Sequence, residues 1–211
     1  MVKILPEFKT ICEPGQFKET QKRSKFLSFA FPVSSKEEVR SHLKKLQSEF
    51  YDAKHIVYAY KLYSSNIQKF SDDGEPSGTG GVPVMNIIKS FGLDNILVAV
   101  VRYFGGILLG TAGLREMYAS GAKGAILNST ITYVEKCVRS VITTDYGNYG
   151  KILNILSDKN AKIFSTDYAE SVRMDFCVAE IDFGEVQKKI NIIMQGKEVI
   201  KFIDNIFIPL K

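Results

Sequence analysis

The sequence NILVAVVRYFGGILLGTAGL occupies residues 95–114 and joins an apolar run to a glycine-rich break. The run up to Val101 is apolar at successive positions, which predicts a strand buried on both faces in the middle of a sheet. After the break, apolar and small residues recur at helical spacing, at Leu114, Met117, Tyr118, Gly121, Ala122, Ala125 and Ile126. This spacing predicts an amphipathic helix, with Tyr118 in the core, that packs against the sheet.

Further elements precede this central strand. Residues 16–33 form one strand-like segment, and Ser34 or Ser35 then offers an N-cap for a helix with apolar residues at helical spacing. Residues 55–63, HIVYAYKLY, are rich in β-branched and aromatic residues and predict another strand. Residues 84–91 again show helical spacing, and Gly92 supplies a left-handed stop.

The chain changes its pattern after a strand that starts at Thr130. From about residue 138 the order is strand, helix, strand, strand, helix, strand, ending with Ile206, Phe207 and Ile208. This order is the ferredoxin-like βαββαβ plan. We therefore predict an α+β protein with two domains, residues 1–137 and residues 138–211.

Composition places the chain among ordinary globular proteins. Of 211 residues, 45% are apolar and 24% are charged, which excludes wholesale disorder, a collagen-like repeat and a long coiled coil. No apolar run approaches the roughly 20 residues that span a bilayer, and the first residues lack the apolar core of a secretory signal. We expect a cytoplasmic protein without a membrane partner, whose three scattered cysteines are free thiols.

Positive charge is concentrated in the first domain. Up to Cys137 there are 18 basic and 13 acidic residues, whereas the rest of the chain has 10 of each. Four cations, Lys18, Lys22, Arg23 and Lys25, lie between Phe17 and Phe26. A mixture of basic and aromatic residues suits a nucleic-acid backbone. The alternative is a solvated edge strand that its lysines protect from pairing.

The segment SDDGEPSGTGG, residues 71–81, is a breaker-rich loop that leads into a helix. Small residues let a ligand approach the main chain, and helix N-terminal N–H groups favour a phosphate or a carboxylate. The alternative is a tight turn in which Thr79 or Ser77 caps the helix. The loop matches neither a Walker loop nor a dinucleotide fingerprint.

The acidic residues Asp72, Asp73 and Glu75 of this loop also allow several interpretations. They can form an internal salt-bridge and turn-capping network, with Arg102 as the natural partner. They can alternatively bind a hard cation such as Mg²⁺, or supply a general base. Their spacing is not that of an EF-hand, and we predict no metal site and no cofactor. His55, a lone strand histidine, is either a structural residue or part of the site.

We predict that the acidic loop and the glycine break after the central strand line one groove for a ligand or a partner. The groove residues are His55, Asp72, Asp73, Glu75, Ser77, Gly78, Thr79, Gly80, Arg102, Tyr103, Phe104, Gly105 and Gly106. None of them is assigned as catalytic. The alternative explanation of the glycines is close packing of a helix on the sheet.

SDDGEPSGTGG followed by VVRYFGGILLGTAGL resembles the signature of the YigZ/IMPACT family, and the resemblance covers essentially the whole chain. It implies two α+β domains similar to the fourth domain of elongation factor G, a ribosomal-protein-like βαβ fold, and to its ferredoxin-like fifth domain. It also implies that eukaryotic relatives regulate translation by binding a large ribosome-associated activator of a kinase that acts on an initiation factor. It implies no established reaction.

Three positions depart from the family's pattern. Gly80 stands where alanine is usual, and Val57 stands where cysteine is frequent, so thiol chemistry at that position is excluded here. A basic residue is common near Glu116, whereas this chain has Arg115 one position earlier. A charge-dependent contact at that helix is therefore not expected to follow the family's pattern.

These observations favour a non-enzymatic binding module that regulates translation or the stress response. Its candidate partners are RNA, the ribosome or a regulatory protein. The alternative is a small-molecule enzyme, a hydrolase or a transferase, that uses SDDGEPSGTGG as a phosphate- or carboxylate-binding groove. No nucleophile–base pair or metal-ligand spacing supports the alternative.

Overall fold

The computed structural model describes residues 7–209 and divides them into two compact units. The first unit is residues 8–133, and the second is residues 134–209 together with Glu7. Nine elements lie entirely in the first unit: β1 (Phe8–Glu13), β2 (Gly15–Gln21), β3 (Ser24–Pro32), α1 (Lys36–Glu49), β4 (His55–Leu62), β5 (Ile67–Ser71), α2 (Gly81–Ser90), β6 (Ile96–Tyr103) and α3 (Gly110–Leu127). The remaining elements are β7 (Thr130–Thr144), α4 (Tyr146–Asp158), β8 (Lys162–Tyr168), β9 (Val172–Ala179), α5 (Glu180–Ile193) and β10 (Ile200–Pro209).

The sheet of the first unit has the strand order β2-β3-β6-β4-β5. Both β5 and β6 are antiparallel to β4, so they run parallel to each other, and α2 connects them. This connection is a βαβ unit with β4 between its two parallel strands. Strand β6 lies in the middle of the sheet and is buried at every position except Tyr103, as its unbroken apolar run predicts.

Helices cover both faces of this sheet. Helices α2 and α3 contribute to the larger apolar core on one face, and α1 packs on the other face. Because side chains alternate along a strand, Arg102 points to the α2–α3 face and its neighbour Tyr103 to the α1 face. Ser35 is the N-cap of helix α1, and its Oγ accepts from Glu38 N–H, while the Glu38 carboxylate accepts from the N–H of Ser34, the residue before the cap.

The second unit has the ferredoxin-like fold that the sequence predicts. Strands β10, β7, β9 and β8 lie in this order, which is the antiparallel 4-1-3-2 arrangement of a βαββαβ chain. The sheet has a fifth strand, because β1 also pairs with β7. Buried residues of α4 and α5, among them Ile152, Leu156, Val186 and Ile190, pack with one face of the sheet. The α+β, two-domain fold class is confirmed. In the part of the chain described, no helix is long and apolar enough to cross a membrane.

Four strand assignments differ from the sequence prediction. The first is β1, which was not predicted. The predicted single strand of residues 16–33 is a hairpin, because Lys22 and Arg23 have positive φ angles and turn the chain between β2 and β3. Strand β5 was not predicted, since only Ile67 and Ser71 of its five residues are even partly buried. The strand from Thr130 does not stop near residue 138 but continues as β7 to Thr144.

Candidate functional site

The acidic loop and the end of β6 meet at the Glu75 carboxylate. Glu75 Oε1 accepts hydrogen bonds from Arg102 Nη1 at 2.5 Å and from the Tyr118 hydroxyl at 2.8 Å. The Glu75 and Arg102 side chains are only 3% and 7% exposed. Burial and the adjacent Glu75 carboxylate raise the pKa of Tyr118, which keeps its hydroxyl protonated as a donor. The sequence places Tyr118 in the core correctly but gives no sign of this hydrogen bond.

Two aromatic rings pack against the Arg102 guanidinium. Its central carbon lies 5.6 Å from the ring centroid of Phe26 and 5.6 Å from that of Phe104. Phe26 is fully buried, whereas Phe104 is 44% exposed. Arg102 Nε is buried and has no hydrogen-bond partner among residues 7–209. Arg102 thus combines an ion pair with cation–π contacts in a site that excludes most water.

His55 and Asp73 join the start of β4 to the acidic loop. His55 Nδ1 lies 2.7 Å from the carbonyl oxygen of Asp73, and since a carbonyl can only accept, the ring donates through Nδ1. His55 Nε2 then faces Glu75 Oε1 at 4.0 Å. The Asp73 carboxylate accepts from Ile56 N–H at 2.6 Å, although Asp73 has a positive φ of 44°. These contacts place His55 beside Glu75 and fix the loop against the sheet.

Asp72 occupies the helix start that the sequence offers to an external anion. Its carboxylate oxygens accept from the backbone N–H groups of Gly78, Gly80 and Gly81 at 2.8–2.9 Å. Burial opposes ionisation of Asp72, but these three hydrogen bonds outweigh it and lower the pKa of the carboxyl group.

The alternative in which Thr79 or Ser77 caps α2 is therefore wrong. The N-cap is Gly80, which has no side chain to accept, and the Thr79 hydroxyl instead donates to the Pro76 carbonyl at 2.6 Å. At the start of α2, the helix dipole and the N–H groups of Gly80 and Gly81 interact with a carboxylate from the chain itself, eight residues upstream of Gly80.

The glycine break after β6 packs on the β2–β3 turn. Gly105 N–H donates to Ser24 Oγ at 3.1 Å, and a Cβ at Gly105 would lie 2.1 Å from the backbone carbon of Arg23. Only glycine permits this approach. Gly106, by contrast, is exposed, with a positive φ of 84° and no atom within 4 Å of a Cβ.

Tyr103 does not join the other predicted groove residues. Its side chain lies on the α1 face of the sheet, and its hydroxyl donates to Asp52 at 2.7 Å. The inclusion of Tyr103 in the groove is corrected for this reason: neighbouring residues of a strand face opposite sides of the sheet.

The two glycine-interrupted segments thus come together, but the place where they meet is filled by side chains. Glu75, Arg102 and Thr79 are buried, while Asp73, Ser77, Phe104 and Gly106 remain exposed around them. Within the described residues, no group of three or more His, Cys, Asp and Glu side chains is arranged to hold a metal ion. The arrangement is an internal network beneath an exposed rim, and binding at that rim stays a prediction.

The predicted basic patch lies at one end of the first sheet. Lys18, Lys22, Arg23 and Lys25 are all exposed, and none of them forms an ion pair with a residue in the described chain. Lys22 and Arg23 form the two-residue turn between Gln21 and Ser24, with φ angles of 45° and 65°.

The protein is thus a two-domain α+β protein in which Glu75 of the acidic loop is bound to Arg102 of the central strand β6 and to Tyr118 of α3. The Impact N-terminal domain family matches residues 22–126, and a domain of unknown function, DUF1949, matches residues 142–197. The chain belongs to the IMPACT family. The signature resemblance in residues 71–114 is thereby confirmed.

Relatives cover most of the chain. An IMPACT family member of Bacillus subtilis, YvyE, is 31% identical over 94% of this chain and 92% of its own length. Escherichia coli YigZ is 28% identical over 84% and 89%, respectively. The human Protein IMPACT is 34% identical over 43% of this chain but only 30% of its own length. A crystal structure of a hypothetical protein, 26% identical, has a TM-score of 0.68 and covers 94% of this chain and 97% of its own.

Proposed function

We propose that this protein is a non-enzymatic binding module that regulates translation or the stress response through contact with RNA or the ribosome. Membership of the IMPACT family supports a regulatory role. The excess of basic residues in the first domain supports an anionic partner, because a nucleic-acid backbone attracts clustered lysine and arginine side chains. A regulatory protein is the second candidate partner.

The observation that carries the proposal is the β2–β3 turn. A two-residue turn with two positive φ angles favours Asn-Gly, yet this chain places Lys22 and Arg23 there. Each such residue stores about 1 kcal/mol or more of backbone strain, and strained residues concentrate at functional sites. The turn holds two cations at the tip of a hairpin, free of internal ion pairs among the described residues, where a phosphate backbone can reach them.

The contacts of the acidic loop weigh against the enzyme alternative. A hydrolase or transferase at SDDGEPSGTGG needs a free anion-binding helix start and a free acid or base. The Asp72 carboxylate already accepts from that helix start, and the Glu75 carboxylate is hydrogen-bonded to Arg102 and Tyr118. An external phosphate would have to displace Asp72 and would meet its negative charge.

The turn also provides a sharp test. The variant Lys22→Asn/Arg23→Gly/Lys25→Gln removes three charges and gives the turn its preferred residues, so we expect no loss of stability. We expect it to bind RNA and ribosomes more weakly, with a salt slope lower by about 2, since each phosphate contact contributes about 0.7 with single strands. The matched control is Lys151→Gln/Lys188→Gln/Lys197→Gln, three exposed lysines of the second unit.

Two outcomes decide between partners. Unchanged RNA and ribosome affinity and salt slope in the folded turn variant would eliminate nucleic acid as the partner of this patch. A protein partner is tested separately by Ser77→Arg in the exposed loop, which is expected to abolish capture of a regulatory protein from cell extract. Capture that persists would remove the acidic loop from the interface.

A further inference from the structure

We infer that a second site for single-stranded RNA lies in a groove between α1 and the β4–β5 edge of the first sheet. We call it the α1 groove; it has a volume of about 320 Å³. Its rims carry Lys36 and Arg40 from α1 and Lys69 from β5, and Tyr58 and Tyr60 of β4 contribute to its lining. The choice of RNA rests on the proposed function, whereas the location of the site rests on the geometry alone.

The charge of the α1 groove is unbalanced. No acidic residue is among those that line it, and Lys36, Arg40 and Lys69 are exposed without an ion-pair partner in residues 7–209. The other face of β4 shows the contrast, because Lys61 is bound to Asp94 at 2.8 Å. Three unpaired cations around one concave surface create a positive potential that attracts a polyanion.

The strands and the helix explain why these cations meet. Lys36 and Arg40 are four residues apart, so they lie on the same side of α1. Lys69 is directly opposite Tyr60 in the β4–β5 pair, and residues that face each other across an antiparallel pair point to the same face. The helix therefore supplies one rim of the groove and the edge strand supplies the other.

The two tyrosines add a surface for a base. The Tyr58 and Tyr60 rings are nearly parallel, with 6.4 Å between centroids and 14° between planes. Tyr60 is only 6% exposed, but Tyr58 is half-buried and presents part of its ring to the groove. Single-stranded nucleic acid is bound by this combination of cations that contact phosphates and aromatic rings on which bases stack.

Single-stranded RNA fits this combination better than an acidic peptide does. A carboxylate-rich peptide satisfies the cations but brings no flat base for the Tyr58 ring. An RNA strand supplies both the negative charge and the base: one base lies in the groove, and its flanking phosphates lie at the two rims. The volume of about 320 Å³ lies at the small end of ligand pockets and suits one nucleoside.

The test uses the full-length protein and fluorescein-labelled oligouridine, titrated between about 50 and 200 mM salt. We expect Lys36→Gln/Arg40→Gln/Lys69→Gln to weaken binding and to lower the salt slope by about 2, with the Lys151→Gln/Lys188→Gln/Lys197→Gln protein as control. We expect Tyr58→Leu, which keeps an apolar side chain, to weaken binding by about 5- to 150-fold with an unchanged salt slope.

The outcomes separate this site from the proposed function. If the β2–β3 turn variant weakens RNA binding and the α1 groove variants do not, the groove inference is wrong and the proposed function stands. If the wild-type protein does not bind oligouridine, both the groove inference and RNA as the partner fail. If poly-glutamate displaces the RNA as well as unlabelled RNA does, the site accepts acidic polypeptides and the inference is overturned. Normal binding by Tyr58→Leu also overturns it, because no base then stacks on that ring.

Discussion

Replacing Glu75 by glutamine removes the charge at the centre of the buried network and leaves the Arg102 guanidinium without its counter-ion. The two side chains are 3% and 7% exposed, so solvent cannot replace the lost interaction. Breaking a buried ion pair by removing one partner costs about 3–5 kcal/mol, because the other charge remains buried. For a unit of this size, about 4 °C per kcal/mol converts the loss into a fall of about 12–20 °C in Tm.

Differential scanning calorimetry measures this change as a shift in the transition of the first unit. Tyr118→Phe removes one hydrogen bond to the same carboxylate and is expected to cost less, about 1.5–3 kcal/mol. Glu49→Gln, the same change at an exposed position, serves as the control and is expected to shift stability by less than about 0.5 kcal/mol. A Glu75→Gln protein as stable as the wild type, or more stable, would refute the reasoning, because the buried ion pair would then contribute no net stability.

Three further predictions concern the loops. Because the folded state lowers the pKa of Asp72, this carboxylate stabilises the protein fully at pH values above its ordinary pKa of 3.8, and the stabilisation is lost as the pH falls through the lowered pKa. The urea midpoint of Asp72→Asn should therefore fall less steeply in acid than that of the wild type. Gly80→Ala should cost about 1–3 kcal/mol, because its Cβ would lie 2.9 Å from both γ carbons of Val57, and adding Val57→Cys should recover part of that loss in urea unfolding. Gly105→Ala should displace the backbone at Arg23 and lower Tm by more than Gly80→Ala does.

One control for the two glycine substitutions comes from the same chain. Gly184→Ala introduces a Cβ that meets no atom within 4 Å, so it reports the effect of the substitution without a clash. Equal acid sensitivity of Asp72→Asn and wild type would show that the cap of α2 contributes no pH-dependent stability. A double variant of Gly80 and Val57 no better than the sum of its single changes would show that the two positions do not interact.

The fold was predictable where burial gives a clear period. Strand β6 is buried on both faces, and α3 buries one side against the sheet, so each leaves a clear apolar pattern in the sequence. Both elements were assigned correctly. The β2–β3 turn was missed because Lys22 and Arg23 carry no turn signal, and only tertiary packing holds them at positive φ. Strand β5 was missed because an edge strand has little buried surface to set a pattern.

The candidate site was predictable in its members but not in its connections. The sequence identifies Arg102 as a partner for the acidic loop, because three carboxylates require a cation. It cannot decide which carboxylate pairs with Arg102 and which one caps α2, since that choice depends on positions set by the sheet register. It also cannot show that Tyr118, a correctly placed core residue, points its hydroxyl at Glu75.

The contact between position 80 and position 57 has a practical consequence for protein engineering. A design that places alanine at Gly80 introduces a methyl group into space that the Val57 side chain already fills. A library that varies one position at a time would reject this alanine as harmful. Positions 80 and 57 therefore have to be changed together. A consensus sequence derived one position at a time would miss the steric coupling between them.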